Sequence, residues 1–273
     1  MKRIIVIACW LLATALITGC AFDSSALLED EVLGEVESRF EYSNALNPNA
    51  LNPNALNTNA LNTNALLPSA LASILDPGDA GVQSRQLLRY VVSCALKPGQ
   101  SFRFVWYDTS NLPHVEVFAG LLGLAPGWAI GAVGLSSQRW VSACLASRVN
   151  WYGVPVMLSS RGAHPSLKQQ DLIERLTFPS EEGAFFGNLF QANPAVYACH
   201  NDSNRDHSRF LLRDCAAGHL DSSGEAEDCG PVHILGSCDD YCEPLDAAGL
   251  YHPSCAKEIG GAATANVVTT FLP

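Results

Sequence analysis

The chain has 273 residues, of which 48% are apolar and 16% are charged, and 27 acidic against 16 basic side chains give a net charge of −11. This length allows one or two domains with a substantial core. The acidic balance argues against nucleic acid as a partner, because phosphate backbones are bound by a surplus of Lys and Arg.

Residues 1–19 have the organisation of an export signal. Lys2 and Arg3 precede an apolar run that is shorter than the roughly 20 residues of a membrane-spanning helix. The next residues, Ile17-Thr18-Gly19-Cys20, resemble the lipobox of bacterial lipoprotein precursors. That resemblance implies cleavage before Cys20, acylation of Cys20 by chains such as palmitate, and a membrane anchor that does not span the bilayer. Ala21 replaces the aspartate that retains enterobacterial lipoproteins at the inner membrane, which implies the outer membrane. An ordinary secretory signal is the alternative.

Residues 20–80 combine an acidic segment with a five-residue repeat of the type Asn-Ala-Leu-Asn-Pro, which begins at Asn44. Residues 21–80 carry nine acidic side chains against the single Arg39, a net charge of −8. Because repeat arrays need several stacked units to bury a core, we expect a lipidated, mostly extended stalk that holds the domain away from the membrane. The alternative is that the repeat leucines form a short solenoid or dock on the domain. The repeats ahead of a cysteine-bearing domain also resemble secreted lipoproteins of myxobacteria and related bacteria, a resemblance that implies no activity.

Residues 81–273 have the size of one globular domain. Apolar residues at helical spacing predict one helix from Ser84 to about Lys97 and a second from Ser137 to near Gly153. The two helices share a pattern of arginine, aromatic, valine and cysteine positions. We therefore predict a disulfide between Cys94 and Cys144, with a chance similarity of two amphipathic helices as the alternative.

Short alternating or apolar runs predict strands between and after these helices. They are residues 102–106, 115–117, 154–158, 196–199 and 267–272. A third helix is predicted from Ser166 to Thr177, with Ser166 and Gln169 as its capping box. The mixture indicates an α+β fold in which helices pack on a largely antiparallel sheet, crosslinked by disulfides and preceded by the extended stalk.

The segment 119–135 is almost entirely apolar and could suggest a membrane span. Pro126 and five glycines interrupt its 17 residues, which favours buried strands and tight turns.

Eight of the ten cysteines remain once Cys9 leaves with the signal and Cys20 takes lipid. An even number of cysteines in an exported chain predicts disulfides; the candidates are Cys94, Cys144, Cys199, Cys215, Cys229, Cys238, Cys242 and Cys255. Local pairing favours Cys199 with Cys215. The alternative is a zinc site built from Cys229, Cys238, Cys242 and Cys255, with His233 or His252 as substitute ligands.

No cofactor is expected, with weakly bound calcium as the one exception. Asp202, Asn204 and Asp206 stand at alternate positions, as the oxygen ligands of calcium loops do. However, His207 stands where an EF-hand needs glycine, and Arg213 stands where it needs glutamate, so a solvated turn is the simpler interpretation. The nine acidic residues between Arg213 and Lys257 have no basic residue among them, which indicates a hydrated surface or a second weak calcium site.

These features favour a lipid-anchored surface protein of the bacterial envelope. Its partners would be the membrane, through the lipid, and an envelope or extracellular ligand bound by the domain. Aromatic side chains that could line a binding cleft are Trp106, Trp128, Trp151 and Phe186. The alternative is a secreted hydrolase that uses a histidine, although no Gly-x-Ser-x-Gly or His-Glu-x-x-His motif is present. The candidate histidines for it are His164, His200, His207, His219 and His233. An enzyme is the less favoured of the two.

Overall fold

The computed structural model describes residues 45–52, 56, 58–168 and 170–273. The predicted signal peptide, the lipidation of Cys20 and the acidic segment up to residue 44 lie outside these residues. The described helices are α1 (Pro68–Leu75), α2 (Asp79–Ala95), α3 (Leu135–Arg148), α4 (Leu172–Thr177), α5 (Arg205–Phe210) and α6 (Cys238–Tyr241). The longer strands are β1 (Ser101–Tyr107), β2 (Pro113–Ala119), β3 (Ser159–Arg161), β4 (Ser180–Asn188) and β5 (Ala195–His200). The remaining strands are β6 (His219–Leu220), β7 (Ala226–Glu227), β8 (Val232–Ser237), β9 (Cys255–Ala256), β10 (Ala263–Thr264) and β11 (Val268–Leu272).

A five-stranded sheet with the order β3-β11-β4-β5-β8 forms the centre of the domain. All of its neighbours pair antiparallel except β5 and β8, which run parallel. Alternation along β4 directs Phe185 to the face on which α3 packs, where it joins the main core together with Val196 and Val268. The predicted α+β fold, with helices on a largely antiparallel sheet, is therefore confirmed.

The opposite face of the sheet is covered by loops of the carboxyl-terminal third. A small core that includes Ala184, Phe186 and Val267 lies there, together with Cys199, Cys238 and Cys255. Two disulfides, Cys199–Cys238 and Cys242–Cys255, crosslink this cover. Covalent links thus supplement a small apolar core where regular structure is sparse.

Helices α2 and α3 pack against each other and are joined by the predicted disulfide Cys94–Cys144. Both cysteines are fully buried, as their positions on the apolar faces of the two helices require. The hairpin β1–β2 packs on α2 through Phe102, Phe104 and Phe118. Its other face is exposed.

The repeat segment is not an extended stalk over its described part, and the boundary predicted at residue 81 is wrong for that reason. Leu46, Leu51 and Leu61 are buried in the main core. The backbone of Leu46 bonds to the end of α3, and the amide of Leu61 donates to the carbonyl of Trp128 at 2.7 Å. Docking on the domain, the alternative interpretation, satisfies the leucines and their backbone polar groups at the same time.

The apolar segment after β2 forms bends and one 3₁₀ turn, Pro126–Ala129, rather than buried strands. Trp128 of this turn is buried, and its indole donates a hydrogen bond to the carbonyl of Asn59 in the repeats. Among the residues that the structure describes, no helix has the length and apolarity to cross a membrane.

Two local predictions fail. The third helix begins at Leu172 instead of Ser166, because the side chain of Asp171 caps it by accepting a hydrogen bond from the amide of Glu174 at 2.8 Å. Residues 154–157 form no strand, and the strand in this region is the short β3 that follows. Sequence periodicity alone cannot distinguish a short, partly exposed apolar loop from a strand.

Disulfide pairing also differs from the local prediction. Cys199 pairs with Cys238 rather than with Cys215, because the parallel pairing of β5 with β8 brings α6 beside the end of β5. Cys215 pairs with Cys229. Since all four cysteines of the alternative zinc site belong to disulfides, their thiolates are not free to hold a metal.

Candidate functional site

A cleft of about 350 Å³ lies between the crosslinked face of the sheet, the first turns of α3 and the loop after Cys255. Strand β9 pairs with β10 to shape this loop, and Cys242–Cys255 fixes where it starts. The amide of Asn266 also bonds to Ser136 at the start of α3. The lining comprises Arg139, Phe186, Gly187, Asn188, Gln191, Ala195, Tyr197, Cys255, Lys257, Ala262, Ala263 and Thr264.

The floor of the cleft is formed by two neighbouring strands. Phe186 of β4 and Tyr197 of β5 are direct cross-strand partners, and their ring centroids lie 5.7 Å apart. Between these strands Gly187 has φ of +130°, and a Cβ there would approach the carbonyl oxygen of Ala195 to 2.4 Å. Only glycine fits this position, so the close approach of the strands under the cleft depends on it.

Two cationic side chains line the cleft, and no carboxylate is part of its lining. Arg139 is partly buried, and no described group makes an ion pair or hydrogen bond with its guanidinium. Lys257 is exposed and meets Glu258 at 3.5 Å, a contact that water screens strongly. In a chain with a net charge of −11, such a locally positive cleft concentrates anions.

Polar groups that can orient a ligand surround these cations. Asn188 is buried and held in place, since its amide donates to Gln138 and its carbonyl accepts from the amide of Phe190. Gln191, Thr264 and the hydroxyl of Tyr197 complete the polar lining. A few fixed polar groups beside an aromatic floor are the usual chemistry of a small-molecule site.

The histidines lie elsewhere, since none of them belongs to the lining of the cleft. His164 and His207 bond to backbone groups, and the other five each pair with a carboxylate: His114 with Asp108, His200 with Asp202, His219 with Asp214, His233 with Asp228 and His252 with Glu181. Burial lowers the pKa of His164 and of His200, which keeps both rings neutral near pH 7.

His252 is held inside the protein by three groups. Its Nε2 lies 2.8 Å from Glu181, its Nδ1 lies 2.6 Å from the carbonyl oxygen of Glu243, and its backbone amide donates to Thr269. Burial opposes a charge on the ring, but the hydrogen bonds to Glu181 and Glu243 outweigh burial and raise the pKa of His252. With both ring nitrogens engaged, this histidine stabilises the fold and has no free nitrogen for catalysis.

The three residues proposed as calcium ligands have separate partners. Asp202 bonds to His200, the amide of Asn204 donates to the carbonyl of Glu181, and Asp206 is exposed beside Arg205. Asn204 and Asp206 lie at the start of α5 rather than in a continuous loop.

Of the four aromatic residues proposed for a cleft, the structure places Phe186 in this one. Trp128 lies in the core and packs on the repeats, and Trp106 is stacked between other side chains. Sequence reasoning missed Arg139 and Lys257. Their signal was indirect, since Lys257 is the first Lys or Arg after the long acidic segment and Arg139 lies in the first turn of a predicted helix.

Comparison with known proteins adds no relative, since no protein-family model, curated protein or solved structure matches this chain.

Proposed function

We propose that this protein is a lipoprotein of the bacterial outer membrane or cell surface, and that its domain binds a small anionic ligand in the cleft of Arg139 and Lys257. The lipobox that ends at Cys20 supports the anchor. Four disulfides support an exported location, because such bonds persist in oxidising compartments.

The observation that carries the binding function is the unpaired guanidinium of Arg139 above an aromatic floor. A carboxylate or phosphate group meets the guanidinium and Lys257, while a ring or apolar portion of the same ligand packs on the partly exposed Tyr197, beside the buried Phe186. The lining contains no histidine and no carboxylate, so it offers no side chain suited to act as a base at neutral pH. Binding is therefore favoured over hydrolysis in this cleft.

Calorimetric titration with three related sugars tests this function. We expect glucuronate and glucose 6-phosphate to bind saturably and neutral glucose not to bind. The double variant Arg139→Gln/Lys257→Gln is expected to lower the affinity for both anions at least about tenfold, since a charge-assisted hydrogen bond contributes about 1.5–3 kcal/mol.

The matched control, Arg103→Gln/Lys168→Gln, removes the same charge from exposed positions outside the cleft. It should change the affinity by less than about twofold, because distant surface charges are screened. Failure of both anions to bind, or equal affinity in wild type and the cleft variant, would contradict the proposal.

A further inference from the structure

A second cluster of polar and aromatic side chains lies at the other end of α3, about 20 Å along the helix axis from its start. We call it the indole shelf and define it by Trp151, Tyr152, Asp214 and His219. Trp151 and Tyr152 occupy a tight turn directly after α3 and are 39% and 44% exposed.

The turn is held rigidly. The amide of Asn150 donates to the carbonyls of Val154 and Leu212, and its carbonyl oxygen accepts from the amide of Tyr152. The guanidinium of Arg213 binds the carbonyls of Ser147 and Val149 from the other side. The two aromatic rings are thus displayed on an ordered backbone at little entropic cost to binding.

His219 is oriented by a buried carboxylate. Its Nδ1 lies 2.7 Å from Asp214, whose side chain is 2% exposed, and its ring stacks on Trp151 at a centroid distance of 4.1 Å. Because Nδ1–H donates to Asp214, the lone pair of the neutral ring is on Nε2. No group in the described part of the chain bonds to Nε2, which leaves an acceptor at the surface beside an indole.

A similar group of a tryptophan, a histidine and an aspartate elsewhere in the protein has both faces of its indole covered; we call it the closed trio. Trp106 stacks on His114 at 4.4 Å, and His114 pairs with Asp108. The guanidinium of Arg85 lies 3.8 Å from the centre of the Trp106 ring, so both faces of that indole are covered. Among the described residues, His219 makes the one ring contact with Trp151, whose side chain stays 39% exposed and accessible to a ligand.

The backbone beside the shelf is strained. Leu212 has φ of +59°, a conformation that non-glycine residues rarely adopt, and its side chain is 44% exposed. Such strain persists where the surroundings enforce it, and it is concentrated at functional sites. The Leu212 side chain is exposed, while the next two residues, Arg213 and Asp214, are buried.

From this geometry we propose that the indole shelf binds a pyranose ring of a neutral glycan. The apolar C–H face of the sugar packs on the exposed part of the Trp151 indole, and a sugar hydroxyl donates to Nε2 of His219. The ring of Tyr152, which meets the ring of His219 edge to face at 5.7 Å, adds apolar surface beside the indole. None of the four shelf residues lines the cationic cleft, so this site is independent of the proposed anion site.

The full-length protein is titrated with maltohexaose, cellohexaose and chitohexaose, and binding is followed by calorimetry. We expect saturable binding of at least one of these oligosaccharides. Trp151→Ala and His219→Gln should each weaken it at least about tenfold, because each removes a principal contact. His114→Gln, which alters the closed trio, should leave the affinity unchanged, and circular dichroism verifies that every variant is folded.

The cleft variant Arg139→Gln/Lys257→Gln should retain full oligosaccharide binding, which separates this proposal from that of the anionic ligand. Absence of saturable binding to all three probes would overturn the shelf proposal. Affinity that is unchanged in folded Trp151→Ala or folded His219→Gln would overturn it as well.

Discussion

Replacing Arg213 with methionine is expected to lower the free energy of unfolding by about 3–5 kcal/mol, because it leaves a buried carboxylate without its partner. Both side chains of the Arg213–Glu182 pair are essentially inaccessible to water. The guanidinium binds Glu182 through Nε at 3.0 Å and Nη2 at 2.9 Å. It also donates hydrogen bonds to two carbonyls at the end of α3, so its loss disturbs both β4 and α3.

Urea denaturation at pH 7 measures this effect, and two variants serve as controls. Arg103→Met at an exposed position should cost less than about 0.5 kcal/mol. The double variant Arg213→Met/Glu182→Met should recover a large part of the loss, since no unpaired charge then stays buried. A loss below about 1 kcal/mol in Arg213→Met, or no recovery in the double variant, would show that the ion pair does not stabilise the domain in this way.

The second large effect is expected at His252. His252→Ala removes the buried ion-pair partner of Glu181, which keeps the hydrogen bond from the side-chain amide of Asn201, and should cost about 3–5 kcal/mol at pH 6. The folded protein raises the pKa of His252 above its usual value of about 6.5. The stabilisation from the charged ring is therefore complete below that usual value and is lost as the pH rises through the folded-state pKa.

Unfolding free energies of wild type and His252→Ala, measured from pH 6 to pH 8.5, test this sign. The difference between the two proteins should shrink as the pH rises. His114→Ala, which breaks an exposed pair, should cost no more than about 1 kcal/mol. A difference that grows with pH would mean that His252 is buried as the neutral ring.

The sequence was most informative about features that depend on the residue pattern within a single helix or strand. Apolar spacing located α2 and α3, and it placed Cys94 and Cys144 on faces that had to meet. Alternation of Phe102 and Phe104 located β1. These signals are local, so pairing with distant segments does not alter them.

The predictions that failed concern features that depend on contacts between segments distant in sequence. The repeat leucines are buried by α2 and by Trp128, and no pattern inside the repeats encodes those surfaces. Cys199 reaches Cys238 through the parallel pairing of β5 with β8, which short-range reasoning about loops does not anticipate. The cleft likewise brings together Arg139 and Lys257, which are far apart in the sequence.

The indole shelf illustrates an intermediate case. Asp214 and His219 are close in sequence, and Trp151 was recognised as a candidate binding residue, but neither fact specifies that the rings stack. That arrangement depends on Arg213, whose contacts with α3 and Glu182 bring the two segments together.

We propose an exported domain that is held together by four specific disulfides and attached to the membrane by a lipid. Mass spectrometry of protein from bacterial membranes, digested without reduction, tests it most directly. We expect an acylated peptide that begins at Cys20 and the crosslinked pairs Cys94–Cys144, Cys199–Cys238, Cys215–Cys229 and Cys242–Cys255. An unmodified amino terminus together with alkylatable thiols at these positions would contradict it.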